Sequence, residues 1–277
     1  IFVENNIAAK RNAGINLAST ENILFLDDDC IPANDYIINH LKALNNNPND
    51  ILCGKIEFDK NRITTSNYIK YKSKRQNSDY SSNYLINDGH VQCLDFTKIV
   101  TMNMSCKKEI LMKHKLYFDE NFYGYGMEDN EFGWRAHKKG ILIKQCNAQI
   151  IHNEIGNFDT FCQKMFHIAR DGIPKLYSKH NTAVWLISFC KYLESNYPYH
   201  GTALNIWSWF IQNIFVNKVA VVIKYLLIRI DKFTNFSFTF LYKYVLAYYY
   251  MRGVKERDNR YLANSETKDG FYNKNNT

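Results

Sequence analysis

No uninterrupted apolar run in the chain approaches the roughly 20 residues that a membrane-spanning helix needs, so an integral membrane protein is not expected. Both the Gly-x-Gly-x-x-Gly fingerprint and the Walker loop are absent, so any bound phosphate must be held in another way. The seven cysteines, at 30, 53, 93, 106, 146, 162 and 190, are odd in number and scattered, with no Cys-x-x-Cys pair. That argues against a disulfide framework or a zinc knuckle and for a reducing compartment. No internal repeat is visible.

What remains is a globular composition. Hydrophobic residues make up 46% and charged residues 22% of 277 positions, enough for a core and too apolar for wholesale disorder. The net charge of +8 alone would suggest an acidic partner. Its distribution argues otherwise. Residues 1–159 carry 19 basic and 20 acidic side chains, whereas residues 160–277 carry 16 and 7. The cations of the second half are spread along apolar helical patterns, with no motif that reads DNA or RNA, so no nucleic-acid partner is expected.

Ile7, Ala8, Arg11, Ile15 and Ala18 recur at helical spacing over 7–19, and Ile23–Leu26 reads as a buried parallel strand. That strand ends in Asp27-Asp28-Asp29-Cys30-Ile31-Pro32. A helix over 35–46, a strand over Ile51–Phe58, a strand over Thr101–Ser105 and a helix over 107–113 continue the alternation of an open α/β sheet, whose ligands sit beyond the strand C-termini. Residues 59–95 are polar and read as a surface excursion. Two short strands, Ile141–Lys144 and Gln149–Ile151, are expected before His152. Helices follow from about residue 160, including Trp207–Ile230 and Phe236–Tyr250, and the tail from Arg252 reads as frayed. The expected domains are 1–159, an α/β unit, and 160–277, a basic and aromatic helical region.

Three adjacent aspartates at the end of an apolar strand are hard to explain as structure, because like charges repel and burial without partners is costly. A solvated loop with an N-cap aspartate is the plain reading. The sharper one is a hard-cation site, in which carboxylates at i and i+2 share a divalent ion with a diphosphate. An EF-hand does not fit, since position 6 of a loop begun at Asp27 is Pro32 and position 12 is Ile38. About a hundred residues later, Glu128-Asp129 follows Gly124-x-Gly126 and opens a helix. These carboxylates can cap the helix, serve as a base, or do both. The glycines let a substrate approach the backbone closely.

The segments Asn6-Ile7-Ala8-Ala9-Lys10-Arg11-Asn12-Ala13-Gly14-Ile15 and Phe25–Pro32 resemble the nucleotide-sugar half of a family 2 glycosyltransferase with the GT-A fold. Asn103-Met104-Ser105-Cys106-Lys107-Lys108 resembles the acceptor-side strand of that family, and Phe118–Arg135 is similar to the galactosyltransferase-type C-terminal motif of chondroitin-polymerase-like bacterial enzymes. The resemblance covers residues 1 to about 155. It implies a mixed sheet flanked by helices, a UDP-sugar donor, Mn²⁺ or Mg²⁺, and an inverting displacement onto a glycan or lipid-linked acceptor in bacterial surface polysaccharide synthesis. By position it implies Arg11, Asn12, Asp27, Asp28, Gly124 and Gly126 for the nucleotide-sugar, with Asp27 on the ribose. It implies Asp29 for the metal with His152 completing the shell, Asp129 as base, Glu128 positioning acceptor or donor sugar, and Asn103 and Ser105 toward the acceptor.

A GT-A domain opens with strands that should precede Ile1, so the resemblance implies a fragment with its first strands missing. The aromatic and basic helices of the second half admit two readings, packing against the catalytic domain or peripheral contact with an anionic membrane. The expected location is cytoplasmic, at the inner face of the plasma membrane. A non-catalytic carbohydrate-binding or scaffold protein with a glycosyltransferase-like shell remains the alternative function.

Overall fold

A computed structural model describes residues 6–79, 92–122, 125–153, 156–193, 219–233 and 238–263. The chain divides into two compact units, Ile1–Tyr123 with Glu128–Ile155, and Gly124–Met127 with Gly156–Thr277.

The first unit is a mixed sheet flanked by helices. In chain order its elements are α1 (Ile7–Leu17), β1 (Asn22–Leu26), β2 (Cys30–Pro32), α2 (Tyr36–Asn46), β3 (Ile51–Phe58), α3 (Lys60–Thr65), α4 (Asn67–Asp79), β4 (Gln92–Leu94), a 3₁₀ turn (Phe96–Lys98), β5 (Asn103–Lys107), α5 (Lys108–His114), α6 (Glu128–Lys138) and β6 (Ile143–His152). The strand order is β1-β5-β3-β6-β2, with β4 also paired to β6. β3 and β6 are parallel, whereas β5 is antiparallel to both β1 and β3. The C-terminal ends of β1, β3 and β6 therefore lie on one edge of the sheet, the edge that carries Asp27 and His152. Open α/β sheets place their ligands at such an edge.

Two expectations are corrected. The two short strands around Asn147 are one strand, Ile143–His152, because a register irregularity between Cys53 and Lys55 absorbs the polar interruption. Gly54 sits in that irregularity, and a Cβ there would lie 2.2 Å from the Ala148 carbonyl oxygen. The polar excursion over 59–95 contains two helices and a strand. Tyr68, Ile69 and Tyr71 are buried on α4, so three apolar residues suffice to dock a helix that otherwise reads as polar. The short β2 has no counterpart among the expected strands. It pairs Cys30 with His152 and so ties the aspartate turn to the end of β6.

α2 covers one sheet face through Tyr36 and Leu44, which pack with Leu52, Ile56, Cys146, Ala148 and Ile150. A polar node lies inside that contact. Asn103 Nδ2 donates to the carbonyls of Lys55 (2.9 Å) and Ala148 (3.1 Å), which leaves its Oδ1 to accept from His40 Nε2 at 2.9 Å. His40 Nδ1 must then accept, and Ser105 Oγ donates to it at 2.8 Å. One imidazole thus binds α2 to β5, and through Asn103 to β3 and β6. All three side chains are wholly buried.

The second unit is helical, with α7 (Phe158–His167), a π-helical turn (Ile168–Gly172), α8 (Ile173–Lys179), α9 (Asn181–Leu186), α10 (Cys190–Leu193), α11 (Val219–Arg229) and α12 (Thr239–Ala263). Trp207–Lys218 and the last residues of the chain lie outside the described residues. The helix expected over Phe236–Tyr250 runs on to Ala263, so the start of the supposed frayed tail is helical. Val245, Leu246, Tyr249 and Val254 of α12 are buried, and Gly253 lets it approach α7 so closely that a Cβ would lie 2.3 Å from the Phe166 carbonyl oxygen. No described helix is long and apolar enough to cross a membrane.

Burial holds the His40 pKa below its ordinary 6.5, since the charged form loses water and gains little in return. Unfolding therefore takes up a proton below pH 6.5. The node's contribution to stability is complete above 6.5 and declines as the pH falls from there toward the folded value. Denaturant titrations from pH 8 to 5 should show that acid loss, and His40→Gln should flatten it while lowering stability at pH 8. An unchanged acid slope in His40→Gln would refute the assignment.

Candidate functional site

α1 begins at Asn6, whose Oδ1 accepts from Ala9 N at 3.2 Å. Within α1, the Arg11 side chain reaches toward the sheet edge. Its Nη1 lies 2.8 Å from Asp129 Oδ1 and 3.4 Å from Glu128 Oε1, and its Nη2 lies 3.8 Å from Asp27 Oδ1. The guanidinium rests over the Phe118 ring, 5.2 Å from its centroid. Phe118 in turn stacks on Phe132 of α6 at 4.4 Å and meets Phe25 of β1 edge-on at 5.8 Å. The two carboxylate clusters, a hundred residues apart in sequence, thus share one cation set on an aromatic floor.

Asn12 lies within 3 Å of the 118–120 segment. Its Nδ2 donates to the Phe118 carbonyl and to Glu120 Oε1, both at 2.8 Å, and its Oδ1 accepts from Phe118 N at 2.8 Å. Asn6 Nδ2 donates to the Glu120 carbonyl at 2.7 Å. Asn12, expected on the nucleotide side, is buried, and its polar atoms hold the 118–120 segment.

The aspartates of the strand end divide into different environments. Asp28 is exposed at the turn tip. Asp29 Oδ2 lies 3.1 Å from His152 Nε2, an approach enforced by the pairing of β2 with β6 and by the bond from Asn153 N to the Asp29 carbonyl at 2.8 Å. The Asp27 carboxyl is raised above its ordinary value by burial, opposed by Arg11 and reinforced by Asp129 and Asp29. Burial, with Asp29 and Asp27 behind it, pushes the neighbouring Cys30 thiol up to about 12.

Glu128 and Asp129 open α6, where the helix N-terminus favours negative charge. Glu128 is nevertheless raised from 4.5 to about 7, chiefly by burial and then by Asp129, with Arg11 opposing. Asp129 is gripped from two sides. Besides Arg11, Thr101 Oγ1 lies 3.0 Å from each of its carboxylate oxygens.

The chemistry of the edge suits a divalent cation. One guanidinium faces three carboxylates, Asp27, Glu128 and Asp129, so negative charge is in excess around it. Carboxylate and imidazole are ordinary donors for Mn²⁺ and Mg²⁺. Among the described residues no group of three or more His, Cys, Asp or Glu side chains is placed to hold a metal. Asp29 and His152 therefore form a two-donor set of carboxylate and imidazole, the ligand types that Mn²⁺ and Mg²⁺ accept.

Other expected site residues lie elsewhere. Asn103 and Ser105, expected toward the acceptor, are fully buried in the His40 node. Gly124 lies outside the described residues. Gly126 belongs with the helical unit, where its φ of 94° and a would-be Cβ contact of 2.7 Å with Ile168 Cγ1 account for glycine. Thr101 and Phe118 are site residues that sequence reasoning misses. No local pattern marks Thr101, and the motif that Phe118 opens gives it no role of its own, because each acts through a partner far away in sequence. A cavity of 560 Å³ lined by Ser19, Glu21, Asn49, Lys107 and Met112 opens at the opposite end of β1 and β5 from the carboxylates.

Two solved structures of S. aureus TarS 1–349 resemble the chain at 12% identity. The complex with UDP-GlcNAc aligns with 90% of this chain and 71% of its own at a TM-score of 0.36. The other structure of TarS 1–349 aligns with 94% and 72% at 0.37. No curated protein matches the sequence. A family model described as Glycosyl transferase family 2 matches residues 2–100. That match runs from α1 to just past the 3₁₀ turn, the segment that holds Arg11 and Asp27–Asp29.

Proposed function

We propose that the chain is an inverting, metal-dependent glycosyltransferase that moves a sugar from a UDP-sugar to a hydroxyl of a glycan or lipid-linked acceptor in bacterial surface polysaccharide synthesis. The observation that carries this reading is the meeting of the two carboxylate clusters at Arg11, on the ligand edge of a sheet whose first strands match a glycosyltransferase family. In this reading Asp27, beside Arg11, accepts hydrogen bonds from the ribose. Asp29 and His152 would hold Mn²⁺ or Mg²⁺, which when bound supplies charge neutralisation for the departing diphosphate. Asp129 takes the acceptor hydroxyl proton. The acceptor oxygen then forms a bond to the anomeric carbon as the bond to the diphosphate breaks, and UDP leaves. Glu128 beside it positions the sugar hydroxyls.

UDP release from a panel of UDP-sugars with Mn²⁺ should fall by about 100-fold or more in Asp29→Ala and in Asp129→Asn, the usual scale for removing a general base or a charge-stabilising group. Undiminished release in either variant would overturn the role given to that residue. A protein that binds glycans yet releases no UDP would be the non-catalytic carbohydrate-binding alternative.

A carboxyl raised to about 7 works against folding. Between pH 4.5 and 7 the folded state holds a proton on Glu128 that the unfolded state has lost, so stability declines as pH rises through that window. Glu128→Gln should therefore be more stable than the native chain at pH 8 and equal to it near pH 4.5. A variant less stable at pH 8 would show that Glu128 is held ionised for structural reasons.

The proposal extends to peripheral contact with an anionic membrane through α11. Val222, Tyr225 and Leu226 are exposed there and Phe233 in the turn that follows, with Arg229 and Lys232 alongside. Apolar side chains flanked by cations suit an anionic lipid surface. Co-sedimentation with phosphatidylglycerol vesicles should be strong at low salt, and Leu226→Glu should abolish it. Absence of binding at low salt would refute the contact.

A further inference from the structure

We infer that Thr101 is a positioning residue that aims the Asp129 carboxylate, an inference that rests on the reading of Asp129 as the base. Thr101 is 1% exposed and lies just before β5. Its Oγ1 is 3.0 Å from both oxygens of Asp129, and its backbone N lies 3.5 Å from Oδ2. An ionised carboxylate only accepts, so the hydroxyl is the donor.

The donor is held as firmly as the group it aims. The 3₁₀ turn Phe96–Lys98 leads into Thr101 and packs directly on α6, which carries Asp129. Gly133 permits that approach, since a Cβ there would lie 2.8 Å from the Phe96 carbonyl oxygen and 2.9 Å from Ile99 Cγ2. Phe96 meets Trp134 edge-on at 5.1 Å, and Asn130 Nδ2 donates to the Thr97 carbonyl at 3.4 Å. Thr101 and Asp129 therefore ride on one packed body.

Arg11, the other donor to Asp129, differs in kind. It is a cation shared among three carboxylates, and an incoming diphosphate competes for it as a counter-charge. A neutral hydroxyl is not drawn away in the same manner. Thr101 is thus the donor that keeps Asp129 oriented when the donor substrate engages Arg11. Orientation of this kind is worth rate rather than affinity.

The test compares the native chain with Thr101→Val, which removes the hydroxyl at nearly constant volume, and Thr101→Ser, which restores it. UDP release should fall about 10- to 100-fold in kcat for Thr101→Val, the scale of one hydrogen bond to a charged group, while the KM for the UDP-sugar stays within about twofold. The acid limb of its kcat–pH profile should move to higher pH, and Thr101→Ser should recover most of the rate and the native limb. A thermal melt accompanies each variant. A Thr101→Val protein with native kcat and profile overturns the inference and leaves the glycosyltransferase reading standing. The inference is equally overturned if Thr101→Ser is as impaired as Thr101→Val, since the methyl and not the hydroxyl then matters. If the native chain releases no UDP from any UDP-sugar, the reading itself fails and the inference falls with it.

Discussion

The guanidinium of Arg11 sets the arrangement of the candidate site. Three carboxylates approach it, from the end of β1 and from the start of α6, and without it these half-buried anions would repel. Its own position is dictated by α1, which Asn6 and Asn12 lock onto the 118–120 segment, and by the Phe118 ring beneath it. Removing one partner from a partly buried charge cluster leaves the others uncompensated, so the cluster forms as a unit. It remains net negative even so. That residual charge, together with the approach of Asp29 to His152, is the chemistry on which the proposed function rests.

The sheet supplies the geometry. Parallel β1, β3 and β6 bring Asp27 and His152 to the same edge, and the short β2 folds the aspartate turn back onto β6. Deeper in the sheet the His40 node joins α2 to three strands through groups that are all satisfied, so a buried imidazole can be tolerated without charge. Glu128 has the opposite character, a buried carboxyl lifted to about 7 at the mouth of a helix. One buried titratable group serves the fold, and the other is maintained at a cost to it.

Much of the α/β unit is legible in the sequence because strand and helix periodicities are local. Ile51–Phe58 coincides with β3, and the helix expected over 35–46 differs from α2 by one residue. Legibility fails where structure depends on distant partners. Asn147 reads as a strand break because the irregularity that accommodates it lies on β3. Residues 60–79 read as loop because three buried apolar side chains among many polar ones give little periodic signal. At the site, Asp27–Asp29 and Glu128-Asp129 stand out as runs of like charge that structure alone explains poorly. Asn103 and Ser105 stand out as polar residues in a strand, and the partner that buries them, His40, sits more than 60 residues away. Thr101 carries no signal at all, since a single threonine before a strand is ordinary until Asp129 is placed beside it.

The central claim is that Arg11 joins the two carboxylate clusters into one site. A double-mutant cycle of Arg11→Met and Asp129→Asn, read as denaturant stability at pH 8, tests it most directly. The account predicts a coupling of about 1 kcal/mol or more, as expected for a close, partly buried ion pair. Effects that add to within about 0.3 kcal/mol would contradict it, because independent residues behave that way and members of one charge cluster do not.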